Sequence, residues 1–527
     1  MKRAAYTVSA GWLAMGVCLA FAGVAGATAL DDYVAAADTN YSYVRVGSGV
    51  FDWSTLTRGY TLDLTSQAWR DAGEVDHVLW KHWVTIVVPE WDGLLGATKR
   101  TAMILINDGY NTDPAPAIDP AYRQLAAGTR SVLAVLSAVP NQPLQFADEA
   151  TPRSEDQIIA YSWSKYLDGG DAYWPVQLPM VKSVVRCMDA VQTFVGTQAT
   201  EQKPIDHFVL AGGSKRAWTA WLTAAMDTRV TAIAPIVGDL LNMKRSFPHH
   251  WASYGFWAEA LRPYQDMGIF DRLGTGEATA LLDIVDPLAY ADRLDIPKFI
   301  VNSAGDDFFV PDSIQYYIDA LPGETYLRHV PNTDHYLTGA YEDVLNGLVA
   351  YYDAFLNGTP RPRFEWALLD DGSIVVQTTD PPKAVNLWRA TNPTARDFRR
   401  VTIGQAWTSS PPADLGGGLY VAAVPAPPTG WTAFFVELVY ESPFQGAGQF
   451  DYHFTTEMRM LPETLPYEGD WNRDRKTNAH DLAALAAMWL TDNPFMDRIP
   501  RRTGDGIIDF RELTLLLNAW TLPPAGR

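Results

Sequence analysis

The stretch "HFVLAGGSKRAWTAWL", residues 207–222, decides the fold. Apolar residues without a helical period fill 208–211, two glycines follow, and from Ala217 apolar residues recur at helical spacing. This reads as strand, tight turn and helix, with Gly212 two residues before Ser214, the arrangement of a nucleophile elbow. In such a turn the serine is forced into unfavourable backbone angles and its Oγ projects at the carboxyl end of the strand. One departure stands out: the usual second glycine is replaced by Arg216, followed by Ala217. Lys215 and Arg216 also put two cations at a helix N-terminus, which already carries roughly half a positive charge. Negative charge must therefore meet them, either from Asp108, Asp113 or Asp239 on neighbouring strand ends or from a substrate carboxylate such as a uronic acid. Arg216 has the bidentate geometry for the latter.

Around the elbow, residues 84–360 alternate short apolar strands with amphipathic stretches: "WVTIVVP", "TAMILIND", "SVLAVLS", "HFVLAGGS", "VTAIAPIVG", "KFIVNSAGDD" and "TYLRHVPN". That pattern predicts an α/β domain over 30–360, a mostly parallel sheet covered by helices, with ligands bound at the carboxyl ends of its strands. The chain order Ser, acid, His of an α/β-hydrolase can then be searched directly. His329 falls inside a strand and His335 in the loop after it, so His335 is the base that would take the proton from Ser214. Asp306 and Asp307 both follow the preceding strand; Asp307, four before Pro311, is preferred as the acid and Asp306 is the alternate. The oxyanion hole is expected from the N–H of Lys215 and one N–H among Gly109, Tyr110 and Asn111. His249, His250, Trp251, Tyr254, Phe256, Trp257 and Tyr264 fall in a cap-like insert at about 245–290, where they would either line a cleft or pack inertly.

Beyond this domain, residues 361–462 read as strands separated by Pro and Gly turns, a small β-sandwich, followed by a short linker at 463–469. The last segment, 470–523, contains a repeat. "DWNRDRKTNAHDLAALAAMWL" superposes on "RRTGDGIIDFRELTLLLNAWT" at a shift of 31 residues. In the first copy Asp470, Asn472, Asp474, Asn478 and Asp481 occupy the oxygen-ligand positions of an EF-hand-type loop, which predicts bound Ca2+. The second copy, read as starting at Arg501 with Thr503 third, keeps Asp505, Asp509 and Glu512 and makes a poor site. The segment resembles a type I dockerin, and that resemblance implies a cohesin-like protein partner.

The chain has 61 acidic against 41 basic residues and a net charge of −20, which argues against nucleic acid or an anionic membrane surface as a partner. Residues 1–29 read as a signal peptide: Lys2 and Arg3, a long uncharged run, then Ala25-Gly26-Ala27 or Ala27-Thr28-Ala29 as the cleavage motif. The mature protein is expected in the periplasm, at the cell surface or secreted, with no membrane segment. Its one cysteine, Cys187, sits at helical spacing among apolar residues and reads as a buried structural thiol.

The segments "LDDYVAAAD", "WKHWVTIVVP", "EDQIIAYSW", "LPMVKSVVRCMDAVQ", "GGSKRAWTAWLTAAMDTRV", "GDDFFVPDS" and "NLWRATNPTARDFR" resemble the PhoPQ-activated pathogenicity-related proteins. The likeness runs from residue 30 to about 465 and implies a hydrolase fold with a serine at Ser214, without naming a substrate. The residues and the resemblance together predict a secreted serine hydrolase, a carboxylesterase for a small-molecule or polysaccharide-linked ester, with no cofactor for catalysis. The alternative is an inactive hydrolase-fold scaffold, and peptidase activity is a third reading.

Overall fold

A computed structural model describes residues 27–444 and 450–521. The expected signal peptide lies almost wholly outside the described residues. Among them, no helix is long and apolar enough to cross a membrane.

Nine strands form the main sheet: β1 (Ser42–Asp52), β2 (Thr57–Ala68), β3 (Leu79–Pro89), β4 (Thr101–Ile106), β5 (Leu133–Leu136), β6 (His207–Gly213), β7 (Val230–Ile236), β8 (Lys298–Ser303) and β9 (Thr325–Val330). Their spatial order is β1-β2-β3-β5-β4-β6-β7-β8-β9. β1, β2, β3 and β5 pair antiparallel in succession, and every pair from β5 to β9 is parallel. Side chains alternate across each strand, so both faces must be covered. Ile86, Ile104, Leu210 and Ile300 enter one core, while their neighbours Val87, Met103 and Val209 enter another on the opposite face. Helix α1 (Ala29–Ala35) precedes β1, α2 (Asp92–Leu95) is a short exposed turn, and the segments between later strands supply α3 (Pro120–Thr129), α4 (Asp156–Gly169), α5 (Gln177–Thr197), α6 (Lys215–Met226) and α7 (Met243–Tyr254). α4 and α5 pack into the first core, and α3 with the later helix Tyr341–Asn357 closes the second. Cys187 is buried in α5 with its thiol pushed up by burial, as its spacing predicts.

Residues after 361 form two further sheets. Phe364–Leu368, Ile374–Thr378, Leu419–Ala422 and Ala413–Asp414 make one; Thr408–Ser410, Ala384–Asn392, Trp431–Tyr440, Tyr452–Thr455 and Arg459–Leu461 make the other. Their apolar side chains divide between a cluster of their own, joined from outside only by Ala304 among its buried residues, and one shared with the main sheet. Phe434, Val436, Leu438 and Phe454 share one apolar cluster with Phe299 and Val301 of β8 and Tyr326 of β9, which fixes this region to the last strands of the main sheet.

The C-terminal repeat folds as two helices, Ala479–Ala487 and Phe510–Thr521, around a small core of Trp471, Leu485, Ile508 and Leu516. Leu485 and Leu516, equivalent in the repeat, are both fully buried there. The segment rests on α7: Trp251 donates its indole N–H to Asp470 (2.8 Å), Arg245 donates to the carbonyl of Thr503 (2.7 Å), and the N–H of Tyr467 donates to the carbonyl of Ala252 (2.9 Å).

Candidate active site

Only Ser214 separates β6 from α6, so the chain reverses from strand to helix within one residue. Ser214 takes φ 57°, ψ −122°, a conformation costing of order 1–3 kcal/mol for a residue with a side chain. The glycines around it are required by space. A Cβ on Gly212 would lie 2.8 Å from the Cβ and carbonyl oxygen of Arg216, and one on Gly238 would lie 2.6 Å from the Cβ of Ala217. Gly212 thereby makes the room that lets an arginine stand where the motif usually has its second glycine.

His335 reaches back to this turn from the loop after β9. Its Nε2 lies 2.9 Å from Ser214 Oγ, and its Nδ1 lies 2.9 and 3.0 Å from the two carboxylate oxygens of Asp306. His335 and Asp306 are 5% and 3% exposed, and the rings of Phe308 and Phe309 flank the imidazole at 4.4 and 6.1 Å. Asp306 is fixed from its other side by the N–H groups of Phe308 (2.7 Å) and Phe309 (3.3 Å). The preferred acid, Asp307, is thus corrected to Asp306. The turn aims Asp306 inward, while Asp307 makes no hydrogen bond to His335 and its carboxyl is raised by partial burial and by the charges of Asp306 and Asp334.

The two cations after the serine also have their answer. Arg216 is 7% exposed; it donates two hydrogen bonds to Glu155 (2.6 and 2.8 Å) and one to the carbonyl of Val139 (2.5 Å). Lys215 Nζ pairs with Glu155 (2.8 Å) and Asp156 (3.0 Å). Burial opposes the ammonium charge, but Asp156 and Glu155 outweigh it and raise the lysine above its ordinary value. Asp108, Asp113 and Asp239 are not the partners: Asp113 accepts from the N–H of Tyr110, and Asp239 accepts from the hydroxyl of Tyr317. Burial, together with the charges of Asp306 and Asp312, lifts Asp239 to about 8. Arg216 is therefore a structural cation, and the expected contact with a substrate carboxylate is withdrawn because its guanidinium is filled by protein acceptors. The sequence reading missed Glu155 and Asp156. The available signal was the adjacent acidic pair opening the amphipathic run that becomes α4.

Of the expected oxyanion donors, the N–H of Tyr110 is taken by Asp113 (2.7 Å) and that of Asn111 by the carbonyl of Gln142 (2.5 Å). The N–H groups of Lys215, in the first turn of α6, and of Gly109 have no acceptor among the described residues. Next to Ser214 opens a cleft of about 660 Å³, its mouth included, walled by Trp163, Trp218, Leu240, Phe247, Leu261 and Phe309. Of the aromatic cap residues, His250 and Tyr264 line it. His249 instead belongs to a buried network, bonded to Asp312 (2.7 Å) and Tyr316 (2.9 Å), with Arg396 also donating to Asp312.

In the C-terminal segment, Asp470 accepts from the N–H groups of Asp474 and Arg475, and Asp481 from those of Trp471, Asn472 and Asn478; Asn478 caps its helix. Among the described residues, no group of three or more His, Cys, Asp or Glu is gathered as a metal cluster. The second loop does not start at Arg501 as expected. Asp497 accepts from the N–H groups of Asp505 and Gly506, as Asp470 does from Asp474 and Arg475, and Glu512 repeats Asp481 by accepting from Arg498, Ile499 and Asp509. Four extra residues are looped out between first and fifth positions.

A serine at positive φ between a parallel strand and a helix, joined to a buried histidine and aspartate in this chain order, defines the chain as a hydrolase-fold protein. It belongs to the PhoPQ-activated pathogenicity-related protein family, whose model matches residues 30–399. It is similar to autocrine proliferation repressor protein A of Dictyostelium discoideum, 36% identical over 464 residues, covering 84% of this chain and 92% of that protein. Two solved structures it is similar to are acetyl xylan esterase 1 from Thermoanaerobacterium sp. JW/SL YS485 (16% identity, 62% of this chain and 91% of that one, TM-score 0.41) and an acetyl xylan esterase from Paenibacillus sp. R4 (13%, 62% and 92%, TM-score 0.44).

Proposed function

We propose that the protein is a serine hydrolase of carboxylic esters, with Ser214 as nucleophile, His335 as base and Asp306 as the acid that orients it. The observation that carries this is the continuous hydrogen-bonded path from Ser214 Oγ through the His335 ring to Asp306. Nδ1–H donating to Asp306 leaves Nε2 free to accept the Ser214 proton as Oγ bonds to the ester carbon. The carbonyl oxygen gains charge facing the free N–H groups of Lys215 and Gly109. Collapse breaks the ester C–O bond, and Nε2–H protonates the departing alcohol. Water then repeats the sequence, returning its proton through His335 and releasing the acid. The test is labelling by a fluorophosphonate together with turnover of an aryl ester. Both are expected in the wild type and absent in a folded Ser214→Ala variant. An unlabelled wild type would favour an inert scaffold.

We further propose that the mature chain acts outside the cytoplasm and that its C-terminal segment binds Ca2+ through the first loop. Asp470, Asn472, Asp474 and Asp481 are hard oxygen donors. Among the described residues none of the three carboxylates is paired with a cationic side chain, whereas in the second loop Asp497 meets Arg245, and Asp505 and Asp509 meet Arg511. Exposed Leu482, Leu490, Phe510 and Trp520 supply an apolar surface suited to a cohesin-like partner. Calcium titration of the full chain, followed by calorimetry, should give one strong site that disappears when Asp470→Ala and Asp474→Ala are combined. Equal uptake by that variant would refute the assignment.

A further inference from the structure

The directions around the carbon that Ser214 attacks can be assigned one by one. Its carbonyl oxygen faces the free N–H groups of Lys215 and Gly109, and the departing oxygen faces Nε2 of His335, which must protonate it. Gly109 and His335 both lie outside the lining of the cleft, whereas Ser214 is part of it. The substituent that enters the cleft is therefore the remaining one, the acyl chain.

The cleft meets that chain with carbon. Ser214, Phe247, Phe308 and Phe309 all line it and are only partly buried, so the space is open beside the nucleophile. Of the more buried wall, Trp163 donates its indole N–H to Gln177 (3.1 Å) and Trp218 donates to the carbonyl of Val285 (2.6 Å), so both indoles use their polar atom elsewhere. The hydroxyl of Tyr264 donates to one oxygen of Asp156 (3.0 Å), and the other pairs with Lys215 (3.0 Å). Lys215, the cation of the lining, also meets Glu155 (2.8 Å) and is thus already matched by two carboxylates. The ring nitrogens of His250 are buried out of reach of a ligand. An ionised group moved against this wall would lose its hydration and gain no partner. A methylene would gain, by about fourfold in binding for each one taken from water. At about 660 Å³, its mouth included, the cleft is in the range of cavities that enclose most of a small-molecule ligand.

Resting on the ester-hydrolase reading, we propose that this cleft is the acyl pocket and that the preferred substrates are esters of uncharged, apolar acids longer than acetate. Ser246 is the small polar residue that α7 contributes to the lining, partly buried, so a larger side chain there would enter the space the chain occupies.

The experiment keeps one aryl leaving group and varies the acyl chain, using the full-length wild type, Ser246→Phe and Ser246→Lys. In the wild type the hexanoyl ester should exceed the acetyl ester by roughly 10- to 100-fold in kcat/KM. The adipoyl monoester, which ends in a carboxylate, should fall at least about tenfold below the isooctanoyl ester, which has the same shape without the charge. Ser246→Phe should bring the hexanoyl-to-acetyl ratio close to one. Ser246→Lys, which places an unmatched cation in the wall, should raise the adipoyl ester relative to the isooctanoyl ester, a reversal that general damage to the site would not give. If Ser246→Phe does not fold, the Ser246→Lys comparison decides. Turnover and fluorophosphonate labelling with a flat or acetyl-favouring profile, no penalty for the carboxylate, or ratios unchanged in both variants overturns the acyl-pocket assignment and leaves the hydrolase reading standing. No turnover of any ester, with no labelling, overturns both.

Discussion

Glu155→Gln tests the claim that the elbow is held by acids outside it. Glu155 bridges Lys215 and Arg216, the two residues that follow the nucleophile. Burial pushes its carboxyl up, but the hydrogen bonds from Arg216 and the charges of Lys215 and Arg216 more than offset this and hold it at about 2, against an ordinary 4.5. That gap corresponds to about 3 kcal/mol at 1.36 kcal/mol per unit of pH. Because the side chain is 35% exposed, solvent screening brings the figure to about 2 kcal/mol. The sign follows from a depressed carboxyl: the contribution is complete above 4.5 and is lost as pH falls through about 2. Urea unfolding at 25 °C should place Glu155→Gln about 2 kcal/mol below wild type, constant from pH 8 to pH 5 and narrowing only below about 4. Adding Arg216→Met, which removes the stranded cation, should restore part of the loss. A variant within about 0.5 kcal/mol of wild type at pH 7, or a difference that shrinks between pH 8 and pH 5, refutes the reasoning.

Asp306→Asn should lower kcat for an aryl ester by about 10³- to 10⁴-fold, because the amide imposes the wrong tautomer on His335, whereas Asp307→Asn should change it by less than about threefold; stopped-flow turnover of the two variants checks this. Gly238→Ala drives a methyl into Ala217 and should cost roughly 1–3 kcal/mol by denaturant unfolding while slowing probe labelling of Ser214. Arg396→Met strips the buried Asp312 of its main counter-charge and should cost about 3–5 kcal/mol at pH 7. Despite burial, Arg396 and His249 hold the Asp312 carboxyl well below the ordinary range. The wild type therefore keeps this contribution above 3.8 and loses it only far into acid, and Arg396→Met should begin to lose stability at a higher pH in an acid titration.

The elbow was legible because its signals are local: a strand, a glycine that cannot carry a Cβ and a helix, all within sixteen residues. His335 followed from chain order and from its place just past a strand. Asp306 and Asp307 could not be separated, since both lie in one turn and only its hydrogen bonds to Phe308 and Phe309 decide which points inward. Glu155 and Asp156 escaped because an ion pair spanning some sixty residues leaves no periodic trace, although the need for compensating acids was apparent from Lys215 and Arg216 themselves. The repeat equated Asp474 with Asp505 and Leu485 with Leu516 correctly, but Asp497 replaces the loop's opening residue through an insertion that a fixed shift cannot see.

Helix α7 has cleft residues on one side and the C-terminal segment on the other, with Trp251 bonded to Asp470 only one residue after His250. The two sides share one helix, so the ligands proposed for them would act on the same element. Whatever factor Ca2+ bound as proposed would apply to ester affinity, the ester would apply to Ca2+ affinity. On the proposed reading the tail would be a second input to the cleft, and cutting the chain at residue 465 would remove the contacts that Trp251, Arg245 and Ala252 of α7 make with it.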